Sequence, residues 1–314
     1  RGRRLHSLFL GGGTPSLMPP SLVEEIIEMA ETLFGFEAGI EITLEANPTS
    51  SEANNLAGMV TAGVNRFSLG VQSLDDAGLA FLGREHSAAE ALAALDAARQ
   101  LVSRLSIDLI YARTGQDAAA WRAELQSALS IGLDHMSLYQ LTIEQGTAFG
   151  DRYAVGKLSG LPNEDLGADL FEATQEICSK FGFPAYEISN HAKLGAECKH
   201  NMVYWRYGDY AGIGPGAHGR LTINGQRHAT AAFRNPTDWL EAVRQGAPQS
   251  TIVLDANEGW SAEVYADLAP HLLRLGVKLV EQPLPAADDD ALLGLQRPVP
   301  VCADESAHDR ASLK

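Results

Sequence analysis

The chain is poor in cysteine and in basic residues, and it has no long apolar run. Cysteine occurs three times, at Cys178, Cys198 and Cys302, far apart and odd in number. That pattern excludes a disulfide scaffold and makes a reducing cytoplasm the expected compartment. No CxxC or CxxxCxxC occurs, so the chain by itself offers no three closely spaced thiolates to an iron–sulfur cluster. Lysine and arginine total 24 against 40 acidic residues, a formal charge of −16. Phosphate neutralisation needs clustered basic side chains, so neither nucleic acid nor anionic lipid is an expected partner. No apolar run reaches the roughly 18 residues of a membrane-spanning helix. Position 1 is not Met, and no apolar signal core follows Arg1-Gly2-Arg3-Arg4. Lys314 falls in what reads as a helix start, so both ends are expected to be cut.

What is present is ordinary for a globular protein: 45% hydrophobic and 20% charged residues over 314 positions. That length suits two domains or one large α/β barrel. Apolar strand-like runs at 8–10, 40–44, 66–71, 105–110 and 135–141 alternate with helical patterns at 21–33, 51–62, 88–102 and 118–130. Ser21 is the expected N-cap of the first helix, with Glu24 and Glu25 in its first turn. The repeated β-α unit predicts a parallel sheet with helices outside and functional groups at the carboxyl ends of the strands. Gly11–Ser16, Glu45–Pro48, Gln72–Ser73 and Asp108 all fall at such ends.

Residues 160–250 read differently. A helix at 165–181 leads into a Gly- and aromatic-rich stretch from His200 to Gly219, a hairpin on Asn224-Gly225 and a helix at 236–245. A linker is read at 247–251. A second β-α run follows, with strands at 252–254, 278–280 and 299–302 around a helix at 262–275.

Several residues suit ligand chemistry. The run Gly11-Gly12-Gly13-Thr14-Pro15-Ser16 lets backbone groups approach a ligand, and equally makes a tight turn. No Gly-Lys-Ser/Thr follows, so it is not a P-loop. A carboxylate at Glu45 suits an ammonium group or a ribose diol, and equally a solvated loop; Gln72 and Asp108 carry the same two readings. Arg84 suits a carboxylate clamp or a surface ion pair.

The segments LFLGGGTPS (8–16), LEANP (44–48), FSLGVQS (67–73), GREHS (83–87) and DLIY (108–111) stand in order. Together they resemble the radical S-adenosylmethionine enzymes of the oxygen-independent coproporphyrinogen oxidase family, over about residues 5–248. The resemblance implies a partial (β/α)6 barrel that binds S-adenosylmethionine. Gly12, Gly13 and Thr14 would lie along the methionine moiety, and Glu45, Gln72, Arg84 and Asp108 would hold the polar groups of the ligand. His200-Asn201-Met202-Val203-Tyr204-Trp205 matches the HNxxYW signature of HemW-type heme chaperones, which implies heme at His200, Asn201, Tyr204 and Trp205 and heme-accepting proteins as partners. The family's CxxxCxxC loop, and with it the ligands of its [4Fe-4S] cluster, does not occur. Reductive cleavage of S-adenosylmethionine by this chain is therefore not expected, and a coproporphyrinogen-oxidising activity is the alternative that needs those cysteines. Ala112-Arg113-Thr114-Gly115 stands where the family has Gly-x-Pro-Gly.

Residues from about 252 onward are similar to a different family, the dipeptide epimerases of the enolase superfamily, through DANEGW (255–260), VEQPLP (280–285) and CADES (302–306). That likeness implies one Mg²⁺ held by Asp255, Glu281 and Asp304. No Lys-x-Lys pair precedes Asp255, and the chain stops before the strand of the second catalytic lysine, so epimerase activity is not expected. The expected fold class is α/β: a partial radical-SAM barrel over 1–160, an α+β region over 161–248 and a βαβαβ fragment of an enolase-type barrel over 249–314. No catalytic residue is assigned, and oligomeric state has no signal in the sequence.

Overall fold

A computed structural model describes residues 3–143, 148–256 and 259–303, with the side chains at 50–54, 148 and 255 excepted. The chain divides into two compact units, Arg1–Arg206 and Tyr207–Lys314. No helix among the described residues is long and apolar enough to cross a membrane.

The first unit runs β1 (Leu5–Leu10), α1 (Pro20–Phe34), β2 (Phe36–Ala46), α2 (Ser50–Thr61), β3 (Arg66–Gln72), α3 (Asp76–Phe81), α4 (Ala88–Leu101), β4 (Arg104–Tyr111), α5 (Ala118–Ser130), β5 (His135–Gln140), α6 (Ala148–Ala154), α7 (Glu164–Lys180), β6 (Asn190–Ala192) and α8 (Lys199–Trp205). The strands form one six-stranded sheet in sequence order, β1 to β5 parallel and β6 antiparallel at the edge. When every crossover is right-handed and steps to the next neighbour, all crossover helices lie on one face. The other face is left to the inside of the curl, as in a barrel.

Strand alternation gives the two faces opposite chemistry. Leu44, Phe67, Leu69, Ile107, Leu109, Met136 and Leu138 turn toward the helices and are buried with Leu56, Met59, Leu95, Trp121, Leu125 and Ile177. The alternate positions Glu41, Thr43, Arg66, Ser68, Ser106, His135, Ser137 and Asn190 are also buried, yet all are polar. Buried polar groups need partners, and neighbouring strands supply several of them, as Arg66 to Thr43, Ser68 to Asp108, Ser106 to His135 and Ser137 to Asn190. In the strand register, Ser68 pairs Glu45 and Ser106, Ser106 pairs His135, and Asp108 pairs Ser137, which pairs Asn190.

Several helix starts in this unit follow capping chemistry, while α1 and α8 have no side-chain cap. Ser87 and Glu90 form a capping box on α4, Asp117 caps α5 and Asn163 caps α7. The expected Ser21 cap does not form. The helix begins at Pro20 behind Pro19, because proline's fixed φ and missing N–H suit a first helical turn, so Ser21 lies inside the helix. The Gly- and aromatic-rich stretch from His200 is helical at its start, since α8 carries the whole HNxxYW segment.

The second unit contains the hairpin β7 (His218–Ile223) and β8 (Gln226–Ala231), helix α9 (Pro236–Gly246), then β9 (Ile252–Asp255), α10 (Ala262–Arg274), β10 (Val277–Glu281), a 3-10 turn over Ala286–Gly294, and β11 (Val301–Cys302). Asn224 (φ 51°) and Gly225 (φ 78°) make the hairpin turn, both left-handed as a type I′ turn requires. Strands β9, β10 and β11 are parallel, with β10 central. Residues 247–251 do not behave as a free linker. Arg244 of α9 donates to the carbonyls of Pro248 and Ser250, and to Leu275 beyond α10, while Leu240 packs with Ile252, Leu272, Val277 and Val280.

Candidate functional site

At the carboxyl ends of β1 to β5 lies a polar cavity of about 270 Å³. Six of the seven residues singled out in the barrel line it: Gly13, Thr14, Glu45, Gln72, Arg84 and Asp108. The seventh, Gly12, donates its backbone N–H to Glu45 Oε2 at 3.1 Å. Gly12 (φ 83°) and Gly13 (φ 63°) both take left-handed backbone, and nothing stands within 4 Å of where a Cβ would be, so the loop leaves open space above Glu45. Asn47, Ser68 and Tyr139 line the same cavity. Asn47 reaches Thr14 Oγ1 at 3.5 Å, and the Ser68 hydroxyl donates to Asp108 Oδ1 at 3.2 Å.

Two carboxylates therefore face one small space. Burial pushes the Asp108 carboxyl up to about 6; the Ser137 hydroxyl opposes that rise and the Glu45 charge adds to it. Gln72 has φ 68°, a left-handed conformation unusual for a residue with a side chain. Its amide folds back over Gly70, where a Cβ would stand 2.9 Å from Gln72 Nε2. His86 of the GREHS segment is buried, and its Nε2 donates to the carbonyl of Val71, next to Gln72.

Helix α8 lies near β1, and its residues face different neighbours. The His200 ring stacks on Phe9 with centroids 4.5 Å apart and meets the edge of Tyr204 at 4.9 Å. Burial, then the charges of Arg66 and His6, pushes its pKa down to about 4. The imidazole is therefore neutral at pH 7, which is the form that ligates iron. Asn201 turns inward and donates to the Tyr186 hydroxyl at 3.1 Å. Tyr204 and Trp205 keep 38% and 52% of their surface exposed, so aromatic faces remain available beside His200. The glycines of the following stretch have a local use in the second unit: a Cβ at Gly212 would stand 2.0 Å from the His218 carbonyl oxygen.

The donors present do not suit an iron–sulfur cluster. Cys178 and Cys198 are buried and Cys302 is exposed in the second unit. Burial pushes the Cys178 thiol up to about 12 and raises Cys198 too, the opposite of a thiolate ligand. Among the described residues no group of three or more His, Cys, Asp or Glu side chains is placed to hold a metal ion. Of the three tail acids, Asp255 and Glu281 end adjacent parallel strands in direct register, and Cys302 pairs Glu281 on the other side. Asp304 and the side chain of Asp255 lie outside the described residues.

Comparison with known proteins divides the chain in a similar way. Residues 1–126 match the Radical SAM superfamily, and residues 219–314 match the family described as Enolase C-terminal domain-like. The "Radical S-adenosyl methionine domain-containing protein 1, mitochondrial" of Mus musculus is 44% identical over 246 residues, which are 77% of this chain and 55% of that protein. The "Heme chaperone HemW" of Haemophilus influenzae is 42% identical over 240 residues, 76% of this chain and 61% of that protein. The chain thus spans little more than half the length of the curated relatives it matches. The solved coproporphyrinogen III oxidase (HemN) of Escherichia coli, described as a Radical SAM enzyme, superposes with a TM-score of 0.61 at 22% identity. That superposition covers 74% of this chain and 56% of that one, a likeness of fold.

Proposed function

We propose, from the premise that this chain joins a radical SAM segment to an enolase C-terminal domain-like segment, that its first unit is a heme-chaperone-type protein binding S-adenosylmethionine and heme. One observation carries the reading: residues from five separate sequence segments meet in one cavity at the carboxyl ends of the strands. The chemistry is complementary. S-adenosylmethionine presents an ammonium, a carboxylate and a ribose diol. Glu45 suits the ammonium, Arg84 the carboxylate, and Asp108 with Gln72 the hydroxyls and amide-recognising edges. In this family, S-adenosylmethionine supplies a carbon radical when a cluster delivers an electron. The cysteines described here do not hold such a cluster, so the role assigned to this chain's residues is binding and orientation.

Heme is assigned to the exposed side of α8. A neutral His200 held between Phe9 and Tyr204 offers a nitrogen ligand, and Tyr204 and Trp205 offer flat apolar contact. The relatives named for heme delivery support heme-accepting proteins as partners. In the second unit, Asp255, Glu281 and Asp304 are the assigned Mg²⁺ set.

The decisive experiment is paired titration. Calorimetry with S-adenosylmethionine is expected to show binding that weakens at least tenfold in Glu45→Gln. Heme titration is expected to give a Soret shift that weakens in His200→Ala. No heat with the first ligand removes the barrel assignment, and an unchanged Soret response in His200→Ala removes the heme assignment.

A further inference from the structure

Glu124 is a buried carboxylate on α5 that does not line the cavity and has no part in the ligand contacts proposed above. It nevertheless takes four hydrogen bonds from segments that end at the cavity. Its Oε1 accepts from the Ser73 hydroxyl at 2.7 Å and from the Leu74 backbone N–H at 2.8 Å. Its Oε2 accepts from Arg113 Nη2 at 2.6 Å and Gln116 Nε2 at 3.1 Å. The ion pair is almost fully enclosed, with Arg113 6% and Glu124 8% exposed.

Two of the five left-handed residues other than glycine among the described residues adjoin its partners. Gln72 (φ 68°) precedes Ser73, and Ala112 (φ 60°) precedes Arg113. Such backbone persists only where surrounding bonds over-determine it. The packing around the clamp is tight as well. A Cβ at Gly78 of α3 would stand 2.8 Å from Ser73 Oγ and 2.9 Å from Arg113 Nε, so only glycine lets the helix close over the pair. Arg113 also donates to the carbonyl of Ile110, tying the loop back to the end of β4.

We infer that Glu124 and Arg113 form a positioning clamp that holds Gln72 in its left-handed conformation and so sets the amide contact of the S-adenosylmethionine cavity. The inference rests on the binding reading above for its ligand and on the clamp's own geometry for its mechanism. Arg113 stands in the loop where the resemblance expects Gly-x-Pro-Gly, so the clamp is this chain's own way of fixing that turn.

The test separates the two. Glu124→Leu alone leaves a buried, unpaired guanidinium and risks misfolding, so the variant used is Arg113→Leu/Glu124→Leu, which removes both charges. With ¹³C-labelled glutamine, assigned through Gln72→Asn, the Gln72 Cα and Cβ shifts are expected to move to extended-strand values in the double variant, without ligand. Unchanged shifts in a folded double variant overturn the clamp, whatever the ligand. Calorimetry with S-adenosylmethionine is then expected to weaken at least tenfold in the double variant, and to show no further loss when Gln72→Ala is added. A full additional loss in the Gln72→Ala background also overturns the clamp. Moved shifts with no binding by any form leave the clamp standing and remove the ligand reading instead.

Discussion

Asn201 donates its side-chain amide to the Tyr186 hydroxyl at 3.1 Å, and the same hydroxyl stands 2.7 Å from His135 Nε2. His135 Nδ1 is in turn 2.7 Å from the Ser106 hydroxyl. The second residue of the HNxxYW segment is therefore an anchor. It ties α8 through a relay of side chains to the polar face of β4 and β5, and this fixes where His200 stands.

Tyr186→Phe tests that anchoring. It removes one hydroxyl and leaves Asn201 and His135 short of a partner, at a cost of about 1–3 kcal/mol. A lower melting temperature and a weaker, still present Soret response to heme are expected. The same heme response and the same melting curve as the parent protein would show that the relay does not hold the helix.

Much of this arrangement is legible in the sequence, and the reasons are local. The Gly11–Gly13 turn, Glu45 and Gln72 each end an apolar run, and a parallel sheet gathers strand ends on one side; Asp108, expected at a strand end, lies inside β4 and reaches the cavity from mid-strand. The polar inner face is not legible in the sequence. Glu41, Arg66, Ser106 and His135 alternate with buried apolar residues, a period-two signal masked because parallel strands are ordinarily buried on both faces. The Glu124 clamp had no signal at all: its partners lie 51 and 11 residues away in sequence, and only the fold brings them together. The helical form of 199–205 was hidden by its aromatic content, which favours strands.

Acid should unfold the first unit early. Burial holds His191 and His200 down to about 4 and holds His135 well below its ordinary value. Each is therefore neutral in the fold and gains a proton more readily once unfolded. The stability they contribute is complete above about pH 6.5 and is lost as pH falls toward 4, by up to about 3 kcal/mol for a fully enclosed ring. Urea midpoints should fall between pH 7 and pH 5. His191→Leu should make that fall shallower; an equal fall in parent and variant would remove His191 from the account.

Arg244 is expected to carry the packing of α9 on the strands that follow. Its guanidinium donates to the carbonyls of Leu275 at 2.6 Å and Ser250 at 2.5 Å, with Pro248 at 3.2 Å. Lysine cannot reproduce that fork. Arg244→Lys and Arg244→Ala should both expose 247–251 to proteolysis, with a loss of about 1–3 kcal/mol. Cleavage rates equal to the parent protein's would show that Leu240 and its apolar neighbours suffice without the fork.

Asp108 should trade stability for binding. Its carboxyl is raised to about 6 from 3.8, so the fold favours the protonated form. That favour is fully present below pH 4 and is lost as pH rises through 6, where the folded protein must hold an ionised carboxylate beside Glu45. Asp108→Asn keeps a polar side chain beside Ser68 and Ser137 without the charge. Its melting temperature should match the parent's near pH 4 and exceed it at pH 7.5. The gain is on the order of 1–3 kcal/mol, reduced where solvent in the cavity screens the charge. The same variant should bind S-adenosylmethionine more weakly at pH 7.5, since the neutral amide cannot replace a carboxylate acceptor for a diol. Residues retained at a cost in stability are characteristic of binding sites. A variant that is more stable and binds unchanged would place Asp108 outside the ligand contacts, and one that is less stable at pH 7.5 would show that the carboxylate is held by partners strong enough to outweigh its burial.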